Sequence, residues 1–367
     1  MEEIFLKKLV REYLMIVAVL LMIVAAVVFV FDPFFHYHKP WFGLSAIQDK
    51  HQYQVYGAIE HLDYDSILLG SSVSMSVNTN VLDERFDCKT IKAVGNSAMA
   101  NQLERDLEQA FARQELKYVF YGLDVFSMYT TAEDAKYPEE TAYLCDKNPF
   151  NDVRYLWNGE ILLSRIPDLI KISKAGVYDE GMAYQFNALQ PCGPDMVLQA
   201  WQPAPLTEPV EQKPADYERN LVKSSLARLE TIVAEHPDTQ FMFYLPPYGI
   251  YWWDNAYRDG KMDTYMSTLN LCMEQLLAYD NAEFYATDFN DPSVITDSYQ
   301  YIDSMHGGTQ VTDRMGREIG DADQRITLKN YKDQTEKLER VLMKFEDMYQ
   351  EEGVGVVYRS GGITLDE

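Results

Sequence analysis

Two short stretches carry the residues that could do covalent chemistry: Gly70-Ser71-Ser72, and Asp303-Ser304-Met305-His306. A serine hydroxyl becomes a nucleophile beside a base, and a histidine serves as that base when an acceptor fixes its other ring nitrogen. The chain offers all three parts, with the carboxylate three residues before the imidazole. Ser66-Ile67-Leu68-Leu69 precedes the serines and reads as a buried strand, so the serines fall where a strand gives way to a helix. A helix cap is the other use for a serine there. Ser71 and Ser72 are the two candidate nucleophiles there. Gly307-Gly308, just after the imidazole, suits backbone lying close to a ligand.

These stretches lie more than two hundred positions apart, so other elements must bring them together. Strands are expected at Asp65–Leu69, Thr90–Val94, Lys117–Gly122, Gln240–Leu245 and Glu283–Ala286, with helices at Asn101–Gln114, Asp216–Glu235, Met262–Tyr279 and Lys329–Tyr349. Alternating strands and helices imply an α/β fold with a parallel sheet covered on both faces. In such sheets functional residues gather at the carboxyl ends of the strands. Ser71-Ser72 follows the first strand, Gly95-Asn96-Ser97-Ala98 the second, Gly122-Leu123-Asp124 the third and Pro246-Pro247-Tyr248 the fourth; Asp303 and His306 come after the fifth. Trp252-Trp253 with Tyr248 and Tyr251 would stack on a carbohydrate, contact the membrane or pack internally.

Tyr13 to Phe31 holds no charged residue. As a helix its nineteen residues span ~28 Å, about the hydrocarbon thickness of a bilayer. Lys7, Lys8 and Arg11 on its amino-terminal flank place that end in the cytoplasm and the remainder of the chain outside. Phe34, Phe35, Tyr37 and Trp41 read as an interfacial aromatic belt. With 57 acidic against 32 basic residues, the net charge is −25, which argues against nucleic acid and against adhesion to anionic headgroups. Cys88, Cys145, Cys192 and Cys272 show no metal-ligand spacing; they are either free thiols or, for Cys145 with Cys192, a disulfide. No metal and no cofactor is expected. The organisation expected is a cytoplasmic stub at 1–12, an anchor at 13–31, a connector at 32–64, an α/β domain at 65–350 interrupted by a largely helical insertion at 125–215, and a flexible tail at 351–367.

With these blocks in order, the chain resembles the SGNH hydrolase superfamily, the GDSL-type esterases and acyltransferases. It is most similar to the membrane-anchored branch typified by the D-alanyl transfer protein of teichoic-acid modification. The resemblance covers about Asp65 to Phe345 and implies a three-layer, flavodoxin-like sheet. It assigns Ser72 as nucleophile, His306 as general base and Asp303 as the acceptor that orients it. It also marks Gly95, Asn96, Ser97 and Asp124 as oxyanion or substrate-binding candidates. Asp124 stands where the family has an asparagine, and Ser97 where it has a glycine. A carboxylate donates a hydrogen bond only when protonated, and losing one oxyanion donor costs ~10²–10³ in rate. Asp124 would then hold a loop, be neutral through burial, or bind a substrate amine. The implied activity is O-acyl ester hydrolysis or transfer on a cell-envelope polysaccharide or teichoic-acid-like polymer, with a membrane O-acyltransferase as partner. The alternatives are a non-catalytic scaffold of the same fold and a carbohydrate-binding protein.

Overall fold

The computed structural model describes residues 2–131, 137–146, 148–206 and 208–365. The chain divides into two compact units, one of Met1–Leu62 with Lys136–Glu180 and one of Asp63–Ala135 with Gly181–Glu367.

The second unit is built on a six-stranded sheet of order β2-β1-β3-β4-β5-β6. Its strands are β1 (Ser66–Gly70), β2 (Thr90–Val94), β3 (Tyr118–Gly122), β4 (Gln240–Tyr244), β5 (Ala282–Tyr285) and β6 (Arg325–Ile326). The first five are parallel and β6 is antiparallel to β5. β1 and β2 are buried at every position, as strands covered on both faces are, and this is why their sequences run apolar rather than alternating. Lys92 is the exception on β2. Its buried ammonium donates to the carbonyls of Met75 (2.9 Å) and Ala183 (2.7 Å).

Register brings the strand ends level: Gly70 lies opposite Val94, and Gly122 opposite Tyr244, which is opposite Tyr285. Each following loop therefore starts from the same sheet edge. Two glycines are required there by space. A Cβ on Gly70, whose φ is +156°, or on Gly122 would overlap the buried Ser74 Oγ, and on Gly122 would also lie 2.9 Å from the Tyr244 hydroxyl. That hydroxyl donates to Ser74 Oγ at 2.7 Å.

The five expected strands form to within a residue or two. β6 was not expected, because two residues are too few to show a period. The tail departs from expectation: Val356 and Val357 are buried and the Ile363 N–H donates to Thr296 Oγ1 (2.8 Å), so its apolar residues dock it. The insertion is less helical than expected: short helical pieces are separated by turns and irregular chain, and residues 136–180 group with the amino-terminal unit while residues 181–215 group with the sheet unit.

In the first unit, α1 (Glu2–Phe31) contains one stretch, Glu3–Phe31, long and apolar enough to cross a membrane. Residues 32–64 are no mere connector. They carry α2 (His51–His61) and place Phe34 in a core with Val28, Tyr143, Leu144, Tyr155, Ile161 and Ile166. Asp32 fixes the turn after α1, accepting from the Tyr155 hydroxyl (2.7 Å) and from the N–H groups of His36, Tyr37 and His38 (3.0, 2.7 and 2.9 Å). Phe34 and Phe35 are thus core residues rather than a belt; Trp41 and Phe42 are the exposed rings. None of the four cysteines forms a disulfide, so Cys145 and Cys192 are not joined.

Gly122→Ala is expected to destabilise the protein by ~1–3 kcal/mol through overpacking. The loss should shrink in a Ser74→Ala/Tyr244→Phe background, which removes both crowding oxygens. Denaturant unfolding of the four proteins measures this coupling, and an equal loss in both backgrounds contradicts it.

Candidate active site

β1 ends in Gly70, and the chain turns at once into α3 (Ser72–Met75). Ser71 is the N-cap. Its buried hydroxyl accepts from the Val73 N–H (3.5 Å), and its own N–H donates to Asp124 Oδ2 (3.0 Å). The capping role therefore falls to Ser71, and Ser72 is the hydroxyl that meets His306. Ser72 is the first helical residue and is half-buried. Its N–H, one of the groups a helix start leaves unpaired, meets no acceptor among the described residues.

The histidine sits on a loop that folds back on itself. The Ile302 N–H donates to His306 O (2.9 Å), the Gly308 N–H to Gln300 O (2.7 Å), and Tyr301 bridges to Gly307. Asp303 organises the tip: Oδ1 accepts from the N–H groups of Met305 and His306 (both 2.7 Å), and Oδ2 lies 2.7 Å from His306 Nδ1. The other ring nitrogen, Nε2, is 2.8 Å from Ser72 Oγ. Burial pushes the Asp303 carboxyl upward, but hydrogen bonds from His306 and the two amides outweigh it and hold the group below the usual carboxylate range. An ionised Asp303 places the ring proton on Nδ1, leaving the Nε2 lone pair to accept from the Ser72 hydroxyl.

Neighbouring loops clamp this tip. The buried Tyr301 hydroxyl donates to Pro247 O (2.9 Å), and the Gly249 N–H to Met305 O (3.3 Å). From the insertion, the Gly193 N–H donates to Tyr301 O (3.0 Å). Asn187 Nδ2 donates to Gly307 O (3.0 Å) and Thr312 Oγ1 (3.2 Å), and Phe186 meets the His306 ring edge-on at 5.4 Å. None of the roles of Phe186, Asn187 and Tyr301 was visible in sequence. Their partners are backbone groups or a ring contact far along the chain, which leave no local pattern.

The remaining site candidates divide. Asp124 is fully buried; Oδ2 holds Ser71 and Oδ1 accepts from the Tyr248 hydroxyl. It is a loop holder, facing donors on both oxygens. Burial drives its pKa up to about 6, against the hydrogen bonds from Tyr248 and Ser71. The Gly95 N–H is taken by Gly70 O (3.3 Å). The turn Gly95–Ala98 closes with Ala98 N–H to Gly95 O (3.3 Å) and carries Ser97 at φ +49°, where a glycine would be unstrained. Asn96 and Ser97 are exposed, and neither hydrogen-bonds to the serine or the imidazole. Tyr248, Tyr251 and Trp253 are buried, so the aromatic cluster after β4 is packing rather than a carbohydrate platform. Among the described residues, no group of three histidine, cysteine, aspartate or glutamate side chains is placed to hold a metal ion.

Asp124 makes a pH prediction. Its carboxyl binds a proton more tightly in the folded protein than in the unfolded chain, whose value is 3.8. Its contribution is therefore present below pH ~4 and lost as pH rises through ~6, by roughly 3 kcal/mol. Asn keeps the shape without the charge. The stability of Asp124→Asn relative to wild type should rise between pH 4 and 6, read from thermal melts; a pH-independent difference refutes this.

No protein-family model matches the sequence, and no curated protein matches it. Among solved structures, a candidate platelet activating factor from Streptococcus pneumonia matches with a TM-score of 0.39 at 11% identity, over 75% of this chain and 91% of that one.

Proposed function

We propose that this protein is a membrane-anchored, extracytoplasmic serine esterase or O-acyltransferase of the SGNH type. The observation that carries the reading is the relay from Ser72 Oγ to His306 Nε2 (2.8 Å) and from His306 Nδ1 to Asp303 Oδ2 (2.7 Å). The strand order 2-1-3-4-5, that of flavodoxin-like sheets, supports it. So does the anchor flanked by Lys7, Lys8 and Arg11.

In this mechanism His306 Nε2 takes the Ser72 proton as Oγ attacks an ester carbonyl. Asp303 holds the ring and offsets its positive charge. The Ser72 N–H faces the oxyanion as one donor. As the intermediate collapses, the ester C–O bond breaks, and His306 returns the proton to the departing alcohol oxygen, leaving acyl-Ser72. The incoming hydroxyl then loses its proton to Nε2 as its oxygen attacks the acyl carbon; the acyl–Oγ bond breaks and Nε2 returns that proton to Oγ, restoring Ser72. Water as acceptor gives an esterase; a sugar or polyol hydroxyl gives a transferase. A cell-envelope polysaccharide or teichoic-acid-like acceptor, and a membrane O-acyltransferase partner, follow from the family resemblance together with the anchor.

A fluorophosphonate probe should label the folded, detergent-solubilised protein at Ser72, with labelling lost in Ser72→Ala. A folded wild type that stays unlabelled overturns the assignment in favour of a non-catalytic scaffold. Asp303→Asn should lower hydrolysis of p-nitrophenyl acetate by roughly 10⁴-fold, since the amide favours the wrong ring tautomer. A loss below tenfold would show that the carboxylate does not orient the base.

A further inference from the structure

α1 is exposed along nearly all of residues 3–23 and packs only from Val24 onward, where Val27, Val28 and Phe31 join the core of the first unit. One contact reaches lower. The Trp157 indole N–H donates to the Leu21 carbonyl at 2.8 Å. Leu21 lies ten residues below Phe31, or ~15 Å along the helix, near the middle of the apolar run. If α1 crosses a bilayer at Tyr13–Phe31, the segment around Trp157 enters the outer leaflet beside it.

That segment has the surface for such a place. Phe150 is 88% exposed, Val153 46%, Trp157 45% and Leu163 77%. An indole N–H away from water needs an acceptor, and the α1 carbonyl supplies it. Of the three acids in residues 150–177, two are engaged, and the third, Asp168, is exposed. Asp152 accepts from Tyr37 (3.0 Å) and meets His36 (3.2 Å), and Glu160 pairs with Arg165 (3.0 Å). Beyond Leu163, the exposed stripe continues through Lys171 and Lys174, which form no ion pair among the described residues. Residues 150–177 carry four cations against three acids in a chain of net charge −25. The segment is thus close to neutral in a strongly acidic chain, with Arg165 also pairing with Asp49 (3.1 Å) outside it.

We infer that residues 150–177 are a second membrane-contacting element. Phe150, Val153, Trp157 and Leu163 meet outer-leaflet acyl chains, and Lys171 and Lys174 meet headgroup phosphates. The inference rests on α1 being an anchor, and its occupant is lipid rather than a partner chain.

The test reconstitutes the full-length protein in vesicles of phosphatidylcholine and phosphatidylglycerol carrying brominated acyl chains. Bromine quenches only tryptophans that touch lipid, and Trp157→Phe should remove the larger part of the quenching seen in wild type. Unchanged quenching in a vesicle-bound variant overturns the inference while leaving the anchor intact. Failure of wild type to float with vesicles overturns both. A photo-crosslinking amino acid at the exposed position of Leu163, used in cell membranes, gives an independent reading. A lipid adduct supports the inference, and a protein adduct or none overturns it.

Discussion

One buried carboxylate ties three strand ends together. Asp124 leaves β3, holds the loop after β1 through the Ser71 N–H, and accepts from Tyr248 in the loop after β4. The price is the burial of a charge, visible in a pKa raised to about 6. A neutral side chain could pack there at less cost, but an isolated apolar group would leave the Ser71 N–H and the Tyr248 hydroxyl unpaired. Leaving two donors stranded in a dry site costs more than burying one carboxylate that accepts from both. With Ser71 pinned, the direction of α3 is set, and the Ser72 hydroxyl points where the imidazole can reach it.

The two halves of the relay are held by different means. The serine inherits its place from a strand end, from glycines with no room for a side chain, and from a cap. The histidine has no such scaffold, since its loop lies beyond β5 and contributes no strand of its own to the parallel set. It is fixed instead by hydrogen bonds from three directions: the Asp303 carboxylate inside the loop, Pro247 and Gly249 after β4, and Gly193 with Asn187 from the insertion. The carboxylate that orients the ring also accepts from the backbone at the ring's own residue. Losing Asp303 would therefore loosen the loop as well as misplace the ring proton.

This division explains what the sequence made legible. Strands buried on both faces announce themselves as apolar runs, and the parallel arrangement follows from the helices between them. The loops after their carboxyl ends could then be listed, and the serine, histidine and aspartate of the relay stood among them. The role of Asp124 was open, because an aspartate reads alike whether it donates, accepts or binds an amine; only the donors on both its oxygens decide. Ser71 and Ser72 were separable only by φ and ψ, which fix which residue caps. Asn187 and Phe186 lie in a segment without periodicity and act on backbone or on a ring edge, so no residue pairing foretold them. The docking of the tail depends on Val356, Val357 and Ile363 in a glycine-rich stretch, too few to outweigh its polar composition.

The amino-terminal helix poses a related problem of reading. Its apolar run is uniform, and uniformity hides which part of it packs against the rest of its unit. Val27, Val28 and Phe31 would be as content among acyl chains as they are against Tyr155 and Ile161, because transfer from water rewards either surroundings about equally. What distinguishes the two is the polar apparatus beside them. Asp32 gathers three backbone N–H groups and a tyrosine hydroxyl directly after the helix, which ends it sharply and fixes the chain that follows. A flexible stalk needs no such turn. The helix is therefore built into the core of its unit at one end, while its described residues 3–23 are exposed along nearly all their length.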